Sequence, residues 1–216
     1  MPDSIRILYR GGAAEIVEKR SRFIADVAAV ETDAEAAAFL EQIRKKYWDC
    51  KHHCSAYVIG DQGELTRCSD DGEPAGTAGR PILDTILGSE IRNVCVVVSR
   101  YFGGTLLGTG GLVRAYSQAA RLGLDASDVI EKIRGREITV GCTYDMLGKI
   151  QYIAANAGLK EHVCEYGADV TISYLVPLRD SDSFVKKITE ATSARAELLA
   201  GDELWYAVID GIPTVL

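Results

Sequence analysis

Apolar and polar positions along this chain follow two rhythms, and the switches between them mark out its elements. Residues 5–10, 14–19 and 22–30 alternate with a period near two, broken by Gly11-Gly12 and by the basic turn Lys19-Arg20-Ser21-Arg22, and they predict three short strands. Thr32-Asp33-Ala34-Glu35 reads as a capping box; Phe39, Ile43 and Tyr47 then recur every fourth residue, so a helix is predicted from there to about Trp48. Alternation returns from His53 to Gly60, Asp61-Gln62-Gly63 turns the chain, and residues 64–68 complete a hairpin. A helix begins near Gly79, with Pro81 in its first turn, where a missing N–H costs little, and Ile82, Ile86 and Leu87 as its buried stripe. Asn93 to Ser99 is a largely β-branched apolar run, the pattern of a strand covered on both faces. A glycine segment then leads into a helix from about Gly111 to Leu124.

The rest of the pattern predicts a strand at 136–142, a helix at 145–156, strands at 159–166 and 168–176, a helix at 181–193 and a strand at 203–210. That β-α-β-β-α-β order is ferredoxin-like. The expected fold class is α+β in two domains, residues 1–134 and 135–216, with no internal repeat between them.

Composition changes this picture little: 47% of residues are hydrophobic and 25% charged, as in ordinary globular chains. The longest apolar runs, such as Val94 to Val98, fall far short of the roughly 20 residues a membrane span needs. Met-Pro-Asp-Ser-Ile-Arg has no basic stretch followed by an apolar one, so no secretory signal is expected. The expectation is a cytoplasmic protein whose six cysteines are free thiols. Charge matters more. The formal net charge of −7 excludes a general nucleic-acid coat, but residues 1–134 hold 17 Lys/Arg against 19 Asp/Glu, and residues 135–216 hold 7 against 12. A basic face is therefore confined to the first part, at Lys19-Arg20-Ser21-Arg22 or Arg44-Lys45-Lys46. Both read most simply as solvated faces, since cations in a last helical turn are favoured anyway.

Candidate chemistry concentrates between Cys68 and Tyr116. Gly103, Gly104, Gly108, Gly110 and Gly111 precede a helix whose opening N–H groups could cradle an anion. The spacing fits neither the P-loop, since Thr109-Gly110 stands where Lys-Ser/Thr belongs, nor the dinucleotide fingerprint, since Arg114 replaces the third glycine. A purely structural loop, packed tightly over a sheet, explains it equally well. Asp70-Asp71-Gly72-Glu73-Pro74 crowds three carboxylates into one turn; two of them about 6 Å apart repel by about 3 kcal/mol at an effective dielectric near 20. Either neighbouring arginines (Arg80, Arg100, Arg114) or a Mg²⁺ ion could neutralise them, and Asp-Gly is also an ordinary turn formula. Cys50 and Cys54 have a ligand-like spacing but lack a second compact pair, so a structural zinc is not expected. Ser69, Ser99 and Cys68 are possible nucleophiles near His52, yet nothing like Gly-x-Ser-x-Gly surrounds them.

The segments Ser69–Ile82 and Val96–Tyr116 resemble the signatures of the IMPACT/YigZ family almost letter for letter. Ser21-Arg22-Phe23-Ile24 and the His52-His53 pair before an Ala-Tyr strand fit as well, and the resemblance covers essentially the whole chain. It implies an N-terminal domain of the ribosomal protein S5 domain 2-like fold, shared with translation-factor domains and with small-molecule kinases that hold phosphate at a glycine-rich helix start. It also implies a ferredoxin-like C-terminal domain similar to the last domain of translocating elongation factors. Carried over by position, the family's signature surface comprises His52, Asp70, Asp71, Glu73, Thr77, Arg80, Arg100, Tyr101, Gly103, Gly104, Gly108, Gly110, Gly111 and Arg114, with no established catalytic residue among them. Eukaryotic relatives restrain a translation-controlling kinase through a further N-terminal domain. This chain is expected to start at the signature domain, so that role is not carried over.

The resulting expectation is a non-catalytic, translation-associated protein that needs no cofactor. It would bind RNA phosphate or a ribosome or factor surface through the acidic turn and the Arg-Tyr-Phe-Gly-Gly loop. Arg80, Arg100 and Arg114 would pair with phosphate, and Tyr101 or Tyr116 would stack on a base. The alternative is a Mg²⁺-dependent phosphoryl-transfer or hydrolytic enzyme on a nucleotide-like substrate, with Asp70, Asp71 or Glu73 holding the metal. Both require turn and loop to share one pocket open to solvent.

Overall fold

A computed structural model describes residues 3–216. The first two residues, which belong to the stretch expected to form the N-terminal domain and to lack a secretory signal, lie outside them. The chain divides into two compact units, Arg6–Ile130 and Glu131–Leu216, the second including the stretch up to Ile5. Among the described residues no helix is long and apolar enough to cross a membrane.

The first unit is built from β1 (Ser4–Arg10), whose first two residues belong to the second, and from β2 (Ala13–Glu18), β3 (Ser21–Ala29), α1 (Asp33–Lys46), β4 (His52–Ile59), β5 (Leu65–Ser69), α2 (Gly79–Ser89), β6 (Ile91–Arg92), β7 (Val94–Tyr101) and α3 (Thr109–Asp125). Its sheet runs β2-β3-β7-β4-β5, antiparallel throughout, while β6 pairs in parallel with β1. Central β7 alternates between two cores. Val94, Val96 and Val98 meet Ile82 and Ile86 of α2 and Leu112, Tyr116 and Ala119 of α3 on one face. Cys95 and Val97 meet Ala36 and Ile43 of α1 on the other. Helices on both faces explain why this antiparallel strand reads as an unbroken apolar run. The Thr32 cap forms as expected, with Glu35 N–H donating to Thr32 Oγ1 at 3.2 Å, but the Glu35 carboxylate reaches past the N-cap amide and accepts from the Glu31 N–H at 2.8 Å instead.

The second unit comprises β8 (Asp128–Cys142), which begins in the first, then α4 (Tyr144–Asn156), β9 (Glu161–Tyr166), β10 (Val170–Pro177), α5 (Leu178–Ala191), β11 (Glu197–Ile209) and β12 (Ile212–Val215). Strands pair antiparallel in the order β11-β8-β10-β9, which is the ferredoxin-like arrangement, and β12 folds back on β11. Ile138, Val140, Ile172 and Tyr174 pack on Ile150 of α4 and on Phe184 and Ile188 of α5. The expected α+β fold class in two domains therefore holds. Two strands are longer than the apolar pattern indicates. Glu131, Lys132, Arg134 and Arg136 give the first half of β8 a polar signature, and a register shift between Ala200 and Glu203 breaks the alternation of β11.

Candidate functional site

The acidic turn follows β5 and folds inward. The Asp70 carboxylate accepts three backbone N–H groups: Ala78 and Gly79 reach Oδ1 at 3.0 and 2.8 Å, and Gly76 reaches Oδ2 at 2.8 Å. It thus caps α2, whose own N-cap residue, Ala78, has no side chain able to do so. Burial alone would raise the Asp70 carboxyl, but the three donors outweigh it and hold it below the usual aspartate value. Asp71 accepts from the His53 N–H at 2.7 Å on Oδ2 and from Arg44 Nη2 at 3.1 Å on Oδ1. Its carbonyl accepts from His52 Nδ1 at 2.8 Å, which puts the proton on Nδ1 and leaves Nε2 as the ring nitrogen free for another partner.

Glu73 lies deepest. Its Oε1 accepts from Arg100 Nη1 at 2.7 Å and from the Tyr116 hydroxyl at 2.8 Å, and the two charged side chains are only 4% and 8% exposed. The single proton of the Cys54 thiol has two acceptors within reach, the Asp70 carbonyl at 3.0 Å and the Tyr116 hydroxyl oxygen at 3.3 Å, and burial pushes the ionisation of both Cys54 and Tyr116 upward. Thr77 is buried and donates to the Pro74 carbonyl. All three carboxylates of the turn are therefore engaged by protein donors, and a metal ion would have to displace them. Among the described residues, no group of three or more His, Cys, Asp or Glu side chains is placed to hold a metal.

The glycine segment folds outward. Gly103 presses on the turn between β2 and β3: a Cβ there would lie 2.0 Å from the Arg20 carbonyl carbon, and its N–H donates to Ser21 Oγ at 3.0 Å. Gly108 sets φ to +73° where the chain turns into α3, and the helix opens at Thr109-Gly110-Gly111 with no side-chain cap. Gly104 lies in the exposed part of the same loop. Below the loop, Asp49, Lys51, His52, Arg100, Tyr101, Phe102 and Leu106 line a cleft of about 500 Å³. Phe102 and Leu106 are 57% and 82% exposed. The Tyr101 hydroxyl donates to Asp49 Oδ1 at 2.7 Å, and this bond, aided by burial, pushes its ionisation up to about 12.

Of the signature residues, His52, Arg100 and Tyr101 meet in the cleft, Gly103 and Gly104 lie in the loop between its lining residues Phe102 and Leu106, and Gly108, Gly110 and Gly111 open α3. Asp70, Asp71, Glu73 and Thr77 support the cleft from behind. The three arginines do not form a cluster. Arg100 is buried against Glu73, Arg80 pairs with Asp84 on the surface of α2 at 2.8 Å, and Arg114 lines a separate groove with Thr85, Ser117 and Arg121. Tyr116, expected as a stacking platform, is fully buried and packs edge-on against Phe23. The residues missed are Asp49, Lys51, Phe102 and Leu106, although Lys51 adjoins His52 and Phe102 lies inside the signature. Arg44, taken for part of a solvated face, anchors Asp71.

The two-domain α+β fold thus carries one internally neutralised turn and one exposed glycine loop. Residues 19–124 match the family model described as the Impact N-terminal domain, and residues 140–195 match a domain of unknown function, DUF1949. The chain is 37% identical over 195 residues to the IMPACT family member YvyE of Bacillus subtilis, covering 90% of this chain and 89% of that protein. It is likewise 37% identical to YigZ of Escherichia coli, over 86% and 92% of the two chains. A crystal structure of a hypothetical protein superposes with a TM-score of 0.60 at 34% identity, covering 94% of this chain and 99% of that one. The chain belongs to the IMPACT family.

Proposed function

We propose that this protein is a non-catalytic, cytoplasmic, translation-associated factor whose first domain grips the phosphate backbone of single-stranded RNA. The observation that carries the reading is the turn between β2 and β3. Lys19 and Arg20 both take the left-handed conformation there, with φ of 45° and 68°. Two-residue hairpin turns of this geometry favour asparagine and glycine, and a bulky residue in it costs on the order of 1–2 kcal/mol. Two exposed cations are held in that strain directly against Gly103, in the same unit that carries the uncapped start of α3 and Lys51 of the cleft. Cations, open N–H groups and an apolar cleft are the parts from which single-strand sites are built.

The metal-dependent alternative has less support, because the carboxylates it would use are the ones engaged by Arg100, Tyr116, Arg44 and the start of α2. The acidic balance of residues 135–216 favours the first domain as the RNA-facing one. The test is the double variant Lys19→Gly/Arg20→Gly. Relief of strain should leave the fold as stable as before or more so, while the affinity for a labelled oligouridylate falls and the slope of log K against log salt drops by about 0.7 for each lost phosphate contact. Unchanged affinity and slope would rule the reading out.

A further inference from the structure

Phe102 follows the end of β7 with more than half its surface exposed, an unusual place for a phenylalanine, and it shares the cleft with another exposed large apolar side chain, Leu106. One face of its ring is already backed: the Arg100 guanidinium carbon sits 5.5 Å from the ring centroid, and that guanidinium is fixed from behind by Glu73. The ring is thus a supported platform with its other face open. Tyr101 also has an arginine, Arg22, 5.5 Å from its ring, but its hydroxyl is tied to Asp49 Oδ1 and its ring is less exposed than that of Phe102. Two polar groups on the same cleft lack a full set of partners. His52 has only Nδ1 engaged, and Arg100 Nε is buried with no hydrogen-bond partner although Arg100 lines the cleft.

We infer that this cleft receives one unpaired nucleobase, stacked on the open face of Phe102, hydrogen-bonded by His52 Nε2, and tied through its phosphate to Lys51. The inference rests on the RNA reading above and names what the site recognises beyond phosphate. A cleft of about 500 Å³ lies within the range of small-molecule sites, and flat apolar walls with a few convergent polar groups suit a heterocycle better than an aliphatic chain. A base inside a chain and a free nucleotide share this chemistry.

The test compares a labelled oligouridylate with an abasic ribose-phosphate oligomer of the same length, by fluorescence anisotropy on the full chain. The inference predicts that the intact oligomer binds roughly five- to a hundredfold tighter. The advantage should vanish in Phe102→Ala and return in Phe102→Tyr, with thermal unfolding confirming that both variants fold. Equal binding of the two oligomers by the wild type overturns the inference and leaves the phosphate reading intact; failure of both oligomers to bind overturns both. Competition by uridine monophosphate at concentrations similar to the oligomer would assign the pocket to free nucleotides. Preference for the oligomer would assign it to a base within a chain.

Discussion

The acidic turn and the glycine loop resemble each other as sequence and behave as opposites in three dimensions. Each breaks regular structure, each precedes a helix, and each looks like a place where an ion could sit. The turn satisfies itself: Asp70 supplies the cap that α2 lacks, and Glu73 is consumed by Arg100 and Tyr116. The loop leaves α3 without a side-chain cap and sets exposed apolar residues on its rim. Charge density alone therefore does not identify a binding surface. What distinguishes the two regions is whether the donors and acceptors are already matched from within.

The largest effect should come from breaking the turn's buried pair. Glu73→Ala strands the Arg100 guanidinium away from water and should cost about 3–5 kcal/mol of stability, read as a lower denaturation midpoint in urea. A loss under 1 kcal/mol would mean that the pair is hydrated. Gly103→Ala comes next. Its Cβ would collide with backbone rather than a flexible side chain, so about 1–3 kcal/mol is expected, with the β2–β3 turn displaced and RNA affinity lowered in the same variant.

Asp70→Ala should cost about 0.5–2 kcal/mol, the usual range for losing a helix cap. Here pH sharpens the contrast. The folded Asp70 carboxyl lies below its unfolded value, so the unfolded chain binds the proton first on acidification. Its stabilisation is fully present above the ordinary aspartate value near 4 and is lost as pH falls through the folded one. Asp70→Asn should flatten that part of the acid-unfolding curve, and an unchanged curve would contradict the cap. The smallest effect on stability, within about 0.5 kcal/mol, is expected for Lys51→Ala, whose consequence should appear only as a reduced salt dependence of RNA binding.

Much of the fold could be read from periodicity because its cores are regular. The stripe of α1, the helix cap at Thr32 and the two-faced burial of β7 are local patterns that survive into three dimensions. The first half of β8 could not be read, because a strand with half-buried charged positions carries no apolar rhythm, nor could β11, because a bulge at Gly201-Asp202 imitates a turn. The site was legible as a list of residues and not as an arrangement. Sequence shows that Glu73, Arg100 and Tyr116 are present. It does not show that residues 27 and 43 positions away from Glu73 converge on its Oε1 and remove it from solvent. For the same reason Arg44 looked like helix-end decoration, and Lys51 went unnoticed although it shares the cleft with His52.

The central claim is that ligand meets the loop and cleft while the acidic turn stays behind them, and amide hydrogen exchange with and without single-stranded RNA tests it most directly. Added protection should appear at residues 19–22, 49–52 and 102–112, with no change at 76–79, where the amides of Gly76, Ala78 and Gly79 are already bound to Asp70 and that of Thr77 to the Pro74 carbonyl. Protection confined to 70–79, or appearing only when Mg²⁺ is supplied, would contradict it.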